Sequence, residues 1–201
     1  MRLIHAYQEL LKLHQGSVST QDAAALLKLS APHASKMLSR LSESQLFVHL
    51  SKGVWAFPQT DPLTIPESLT APWPSYISLQ TALYYHEMIS QIPENIYAIS
   101  LSRTKIYKTP LGTFSIHRIH PNFFFGFEII GKGIAKMASP EKALLDLLYL
   151  TPAKSRLFKT LPEILIPKNF RMNLVKKYIS RILSISRRTL VKMRFEEIGK
   201  Q

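Results

Sequence analysis

With 201 residues, 46% of them hydrophobic, the chain has enough apolar side chains for one large core or two small ones, which excludes a disordered protein. Lys and Arg number 26 against 13 Asp and Glu, a formal net charge of +13, and this excess favours a polyanionic partner such as nucleic acid or an anionic membrane surface. Cysteine is absent, which excludes disulfides and thiolate metal sites and suits a reducing compartment, so the expected location is the cytoplasm.

The opening stretch "MRLIHAYQELLKLHQ" places Glu9 and Lys12 where a signal peptide needs an unbroken apolar core. No run in the chain reaches the ~18 apolar residues of a spanning helix. Leu3, Tyr7, Leu10 and Leu11 share one helical face, and Gly16 closes that first helix. Ser19 stands three residues before Asp22, the spacing of a capping box, and "AAALL" continues a second helix. Pro32 fits the first turn of a third helix, in which Ala34, Met37, Leu38 and Leu41 form an i, i+3, i+4, i+7 stripe. The opposite side of that helix presents His33, Ser35, Lys36, Ser39 and Arg40, with no carboxylate before Glu43. Such a face approaches phosphates and base edges without repulsion.

"LFVHL" and "VWAF" are rich in β-formers, and the "SKG" between them makes a tight turn with Gly53 in the conformation other residues avoid. Three helices and a hairpin, over residues 1–57, are the order of a winged helix-turn-helix, whose third helix enters the major groove while the hairpin tip, here Lys52, reaches the backbone. Lys36 and Arg40 are the stronger candidates on DNA, because ammonium and guanidinium groups suit phosphate or guanine; His33 is the weaker one. The same order of elements also serves as a protein-binding module, and a serine-rich helix face is also what a solvated helix shows. A module that docks a partner protein without sequence-specific DNA binding therefore stays open as the alternative.

Residues 58–74 hold Pro58, Pro62, Pro66, Pro72 and Pro74, which predicts an extended linker. Charge divides unevenly: residues 1–60 hold 6 basic and 3 acidic side chains, 61–138 hold 6 and 5, and 139–201 hold 14 and 5, so the excess concentrates at the C-terminal end. From Tyr76, "YISLQTALYYHEMI" reads as a helix opened by Ser78, with Leu79, Ala82, Leu83 and His86 on one stripe. "NIYAISLS", "KIYKTPLGTFSIHRIHP" and "FFFGFEII" read as strands with turns at Pro110, Gly112 and Pro121. "SPEKALLDLLYL" follows, with Ser139 as N-cap, Pro140 at the first helical position and Glu141 in the first turn. The fold class is α+β: an N-terminal winged helix-turn-helix, then a mixed α+β domain over 75–201 that ends in basic helices.

"PSYISLQTALYYHEMI", "TPLGTFSIHRIHPNFFFGFEI" and "MASPEKALLDLLYL", in this order behind the three helices and hairpin, resemble the AbiEi family of antitoxin-type transcriptional regulators. The similarity covers most of residues 1–150, and "SPEKALLDLLYL" is its most diagnostic block. The resemblance implies the antitoxin of a type IV toxin-antitoxin, or abortive infection, system. Its N-terminal domain would bind operator or promoter DNA and repress its own operon. Its larger C-terminal domain would counteract a nucleotidyltransferase-like AbiEii toxin without a tight complex.

Beyond residue 150 the chain follows no pattern of that family. In "FRMNLVKKYISRILSISRRTLVKMRF", Val175, Tyr178, Ile179 and Ile182 share a helix face, while Lys177, Arg181 and Arg188, joined by Lys176 and Arg187, line the other side. Ranked in order, that basic side is an auxiliary nucleic-acid or partner surface, a solvated face, or a membrane-surface helix.

Catalytic constellations are hard to assemble, and the chain is expected not to be an enzyme. The three aspartates, Asp22, Asp61 and Asp146, have simpler places at a helix start, in the linker and on a helix surface. His117 and His120, three apart on a strand, face opposite ways and would not ligate one metal, so they read as surface histidines. "GKGIAK", from Gly131 to Lys136, lacks the spacing of a phosphate loop and reads as a turn. "FFFGF", from Phe123 to Phe127, reads as a core strand before a stacking platform for single-stranded bases. No cofactor and no metal is expected, and the oligomeric state is left open.

Overall fold

In the computed structural model, which describes residues 2–13, 16–131, 135–151 and 163–198, the first helix, α1 (Leu3–Leu11), buries Ala6 and Leu10. Leu11, expected on its packed face, is 40% exposed, because Ala6 takes the inward position one turn before Leu10. Strand β1 (Ser17–Ser19), which the sequence pattern did not announce, leads into α2 (Thr20–Leu27). The Ser19 hydroxyl accepts from the Asp22 amide at 3.0 Å and the Asp22 carboxylate accepts in return from the Ser19 amide, which completes the expected capping box.

Helix α3 (Ala31–Glu43) buries Ala34, Met37, Leu38 and Leu41, the four positions its spacing predicts. The three larger side chains contribute roughly 1.5–3 kcal/mol each by burial, enough to fix which face of the helix is left outside. Strands β2 (Val48–Ser51) and β3 (Val54–Ala56) form an antiparallel hairpin, and β1 pairs with the far edge of β3 in the order β1-β3-β2. Gly53, at φ +76°, takes the left-handed position of the turn. Two-residue periodicity splits the hairpin: Trp55 and Phe57 join the helices' core, while Leu50 and Ala56 join the larger core of the following region.

The stretch 58–74 departs from the extended conformation expected of it. A 3-10 turn (Pro62–Thr64) and helix α4 (Ile65–Thr70) occupy it, with Ile65, Pro66 and Leu69 buried. Pro62 and Pro66 both fall in first-turn positions, where a missing N–H costs nothing, and Asp61 caps the turn by accepting from the Leu63 amide at 2.9 Å. Glu67 ties the segment down: it accepts from the Ser75 amide at 3.0 Å and from Lys136 Nζ at 2.9 Å.

The remaining strands, β4 (Ser75–Ile77), β5 (Ile96–Ser100), β6 (Lys105–Thr109), β7 (Gly112–Arg118), β8 (Phe127–Ile130) and β9 (Ala135–Ala138), make a six-stranded mixed sheet in the order β6-β7-β5-β4-β9-β8. The α+β class is therefore observed. The helix expected from Tyr76 begins only at Leu79 (α5, Leu79–Tyr85), because Tyr76 and Ile77 pair with β5 and Ile77 also with β9. "FFFGF" is not a continuous strand: Phe123 closes a 3-10 turn, Gly126 at φ +76° breaks the run, and β8 starts at Phe127. Residues 132–134 of "GKGIAK" lie outside the described residues.

Helix α6 (Pro140–Leu150) starts where expected, with the Ser139 hydroxyl accepting from the Lys142 amide, and it is buried from Glu141 through Leu148. It packs against α5, β9 and the two last helices, α7 (Met172–Ser180) and α8 (Ile185–Ile198). Among the described residues, no helix is long and apolar enough to cross a membrane.

Candidate nucleic-acid interface

Burial of its apolar stripe turns the polar side of α3 outward. His33, Lys36 and Arg40 are exposed, while Ser35 and Ser39 are half-buried. The Ser39 hydroxyl donates to the Ser35 carbonyl at 3.0 Å, so it is held by its own helix. At the N-cap, the Ser30 hydroxyl lies 2.9 Å from His33 Nδ1 and orients the imidazole. Glu43, also exposed, stands alone at the C-terminal end of the helix, so the first three turns present cations without a carboxylate. The region that follows in the chain leaves Lys36 and Arg40 uncovered.

The hairpin tip is braced from below. The Thr20 amide donates to the Gly53 carbonyl at 2.9 Å, the Trp55 indole N–H donates to the Thr20 hydroxyl at 3.1 Å, and the His49 and Trp55 rings lie 4.5 Å apart. Lys52 is exposed at this fixed tip. Sequence reasoning passed over Ser30, Thr20 and Trp55, which position the candidate contacts, and also Lys28. Lys28 is an exposed cation in the turn between α2 and α3, with the left-handed φ of +54°. A basic residue at the C-terminal end of α2 was the available signal for it.

The C-terminal cations divide differently from the expectation. The chain breaks between Ser180 and Ile185, so the tail forms two helices, and the five residues do not line one side of a continuous one. Lys176 and Lys177 are exposed on α7, and the exposed Arg181 guanidinium lies 3.7 Å over the Phe125 ring. Arg187 and Arg188 are half-buried and turned onto the protein: Arg187 donates to the Tyr149 carbonyl at 2.6 Å and Arg188 Nε to the Ile182 carbonyl at 3.0 Å. Arg171 adds an ion pair to Glu141 at 3.1 Å. Part of the basic excess therefore fastens the tail to the core.

Asp146, expected on a helix surface, is fully buried, because α6 is covered on all sides. It forms an ion pair with the equally buried Lys142 and accepts from the Tyr76 hydroxyl at 2.9 Å and the Ser78 hydroxyl at 2.8 Å. Lys142 Nζ also donates to the Tyr76 oxygen at 3.0 Å and sits 4.1 Å from the Phe123 ring centre and 5.1 Å from that of Phe125. Burial is the largest influence on both partners, pushing Lys142 down and Asp146 up toward their neutral forms, and their mutual attraction opposes it. The Tyr76 hydroxyl is driven well above its ordinary value, first by burial and then by Asp146. The polar side-chain atoms of Tyr76, Ser78, Lys142 and Asp146 are buried and partnered with one another, which ties α6 to β4 and the start of α5.

His117 is half-buried on β7, where burial lowers its pKa to about 4, and its Nε2 lies 2.9 Å from the Ser115 hydroxyl. It is not the surface histidine expected; His120 is exposed and caps the 3-10 turn by accepting from the Asn122 amide at 3.2 Å. Among the described residues, no group of three or more His, Asp and Glu is placed to hold a metal ion. Compared with known protein families, the chain matches no family model, and no curated protein matches it either.

Proposed function

We propose that the protein is a DNA-binding transcriptional regulator of the antitoxin type, with residues 1–57 as a winged helix-turn-helix and residues 75–201 as the antitoxin-like domain. In this reading α3 enters the major groove, Lys36 and Arg40 bind phosphate or guanine, and Lys52 holds the backbone flanking the groove. His33, Ser35 and Ser39 fill the space between these anchors. The observation that carries the reading is the outward face of α3: cationic, free of carboxylates over three turns, uncovered by the rest of the chain, and accompanied by a braced hairpin tip with its own cation. The role of antitoxin to a nucleotidyltransferase-like AbiEii toxin, acting in the cytoplasm on its own operon, is supported by the resemblance of "SPEKALLDLLYL" and the blocks before it.

The test is binding of the DNA upstream of the protein's own gene, compared with the variant in which Lys36, Arg40 and Lys52 are all replaced by Ala. Loss of retardation at matched salt, with unchanged thermal unfolding, is the expected result. Undiminished binding by the triple variant would remove this surface from consideration, and absence of binding even at low salt would favour a protein-docking module.

A further inference from the structure

The pair α7–α8 packs on the core through Val175, Ile179, Ile182 and Val191, and between the two helices lies an open groove of about 720 Å³. That volume falls within the roughly 300–1,000 Å³ of ligand-binding cavities. Met172, Ile179 and Phe195 supply its apolar part, and Met172 is 47% exposed, an apolar side chain left in water beside a ready cleft. Lys176, Arg188 and Lys192 border it, and Glu196, 3.9 Å from Lys192, is the only carboxylate among its lining residues.

We propose that this groove docks an acidic amphipathic helix of a partner protein. Charge complementarity points to an anionic partner: the exposed Lys176 and Lys192 stand against the single Glu196, while Arg188 is held at Nε by the Ile182 carbonyl, and residues 163–198 as a whole carry nine Lys and Arg against three Glu. The apolar floor separates the candidates. Phosphates would satisfy the cations and leave Met172 wet, and the half-buried Phe195 has one ring face turned to Phe170, 6.4 Å between centres, which leaves less of it to stack on a base. An amphipathic helix uses both features, laying an i, i+3, i+4, i+7 stripe on the floor and its flanking carboxylates on the rim. Methionine at the lip adapts to the shape of such a stripe. The lining runs from Met172 to Ser180 on α7 and from Arg188 to Glu196 on α8, about 13 Å along each, which matches the roughly two and a half turns that carry one such stripe.

The test uses the full chain and a fluorescein-labelled peptide of about four helical turns, with Leu on the stripe and Glu on the flanks. Companion peptides carry the same residues scrambled, or Lys in place of every Glu. Fluorescence anisotropy should show saturable binding of the Glu peptide, at least about tenfold tighter than the scrambled one. The variant K176E/K192E should lose that peptide and gain the Lys peptide. Both positions are exposed, so the fold is kept, and K176Q/K192Q, which adds no charge, should weaken the Glu peptide without gaining the Lys one. Equal affinity for the Glu and scrambled peptides overturns the proposal. So does competitive displacement of the Glu peptide by duplex DNA or by phosphatidylserine vesicles. Because α3 is untouched in these variants, DNA retardation by the wild-type contacts is scored separately, and neither result decides the other.

Discussion

Replacing Asp146 by Ala removes the counter-ion of a fully buried ammonium. Lys142 Nζ would keep the Tyr76 oxygen at 3.0 Å and the rings of Phe123 and Phe125, but no carboxylate, and the Ser78 hydroxyl would lose its 2.8 Å acceptor. Breaking a buried ion pair from one side costs about 3–5 kcal/mol, against a total stability of ~5–15 kcal/mol. For a chain of this length, about 2–4 °C is lost per kcal/mol, so the melting temperature should fall by roughly 6–20 °C. The complementary change, Lys142→Met, leaves a buried carboxyl that two hydroxyls still serve. Burial already pushes this carboxyl above its usual range against the pull of Lys142, and removing Lys142 takes away that opposing attraction, which moves the carboxyl further toward its protonated form. That stabilisation is complete below the unfolded carboxyl's pKa and is lost as pH rises through the folded value, so Lys142→Met should be more stable at pH 4 than at pH 7, relative to wild type. The double replacement K142M/D146L should cost less than the sum of the two single changes. Thermal unfolding followed by circular dichroism at both pH values reads all three. A shift below about 2 °C for Asp146→Ala would refute the reasoning, since it would mean that the ammonium is not held by this carboxylate.

Gly126→Ala should destabilise by about 1–3 kcal/mol, because φ is +76° and the added Cβ would meet Lys142 Cγ at 3.1 Å in a packed core; urea unfolding measures it. Gln45→Gly should raise stability by ~0.5–1 kcal/mol in the same assay, since the exposed Gln45 holds a left-handed φ of +58° just past α3. His117, whose pKa is lowered to about 4 by burial, is neutral in the fold while the unfolded chain takes up a proton near 6.5. Stability should therefore decline as pH falls from 6.5 toward 4, by at most ~3 kcal/mol from this group, and His117→Asn should flatten that part of the profile.

Where local chemistry decides the outcome, the residues were legible. The α3 stripe of Ala34, Met37, Leu38 and Leu41, the Ser19–Asp22 box, the Gly53 turn and the Ser139-Pro140 start of α6 each follow from neighbours within a few positions. Where a distant segment decides, they were not. Strand β1 is three residues long and exists only by pairing with β3. Residues 58–74 fold because Ile65 and Leu69 reach the core and Glu67 finds Ser75 and Lys136, which their proline count could not reveal. Lys142 and Asp146 have the i, i+4 spacing of a solvated pair, and only the covering of α6 by other helices puts them inside. The break before α8 did have a local signal, since Ser184 accepts from the Arg187 amide at 3.4 Å through its hydroxyl and its carbonyl accepts from the Arg188 amide at 2.9 Å.

The candidate contacts were legible as a face and illegible as a set of supports. Lys36 and Arg40 follow from the periodicity of α3, whereas Thr20 and Trp55, which brace the hairpin tip, come together from positions 35 residues apart.

The salt dependence of duplex binding tests the proposed contacts most directly, because each neutralised phosphate contributes a slope of about −0.9 to log K against log salt. Titrations of upstream DNA over a range of KCl concentrations should give a slope shallower by about 0.9 to 2.7 for the Lys36, Arg40 and Lys52 triple alanine variant than for wild type, according to whether one or all three cations sit on phosphates. An unchanged slope would contradict the account, since the charge neutralising the DNA would then lie on another surface of the protein.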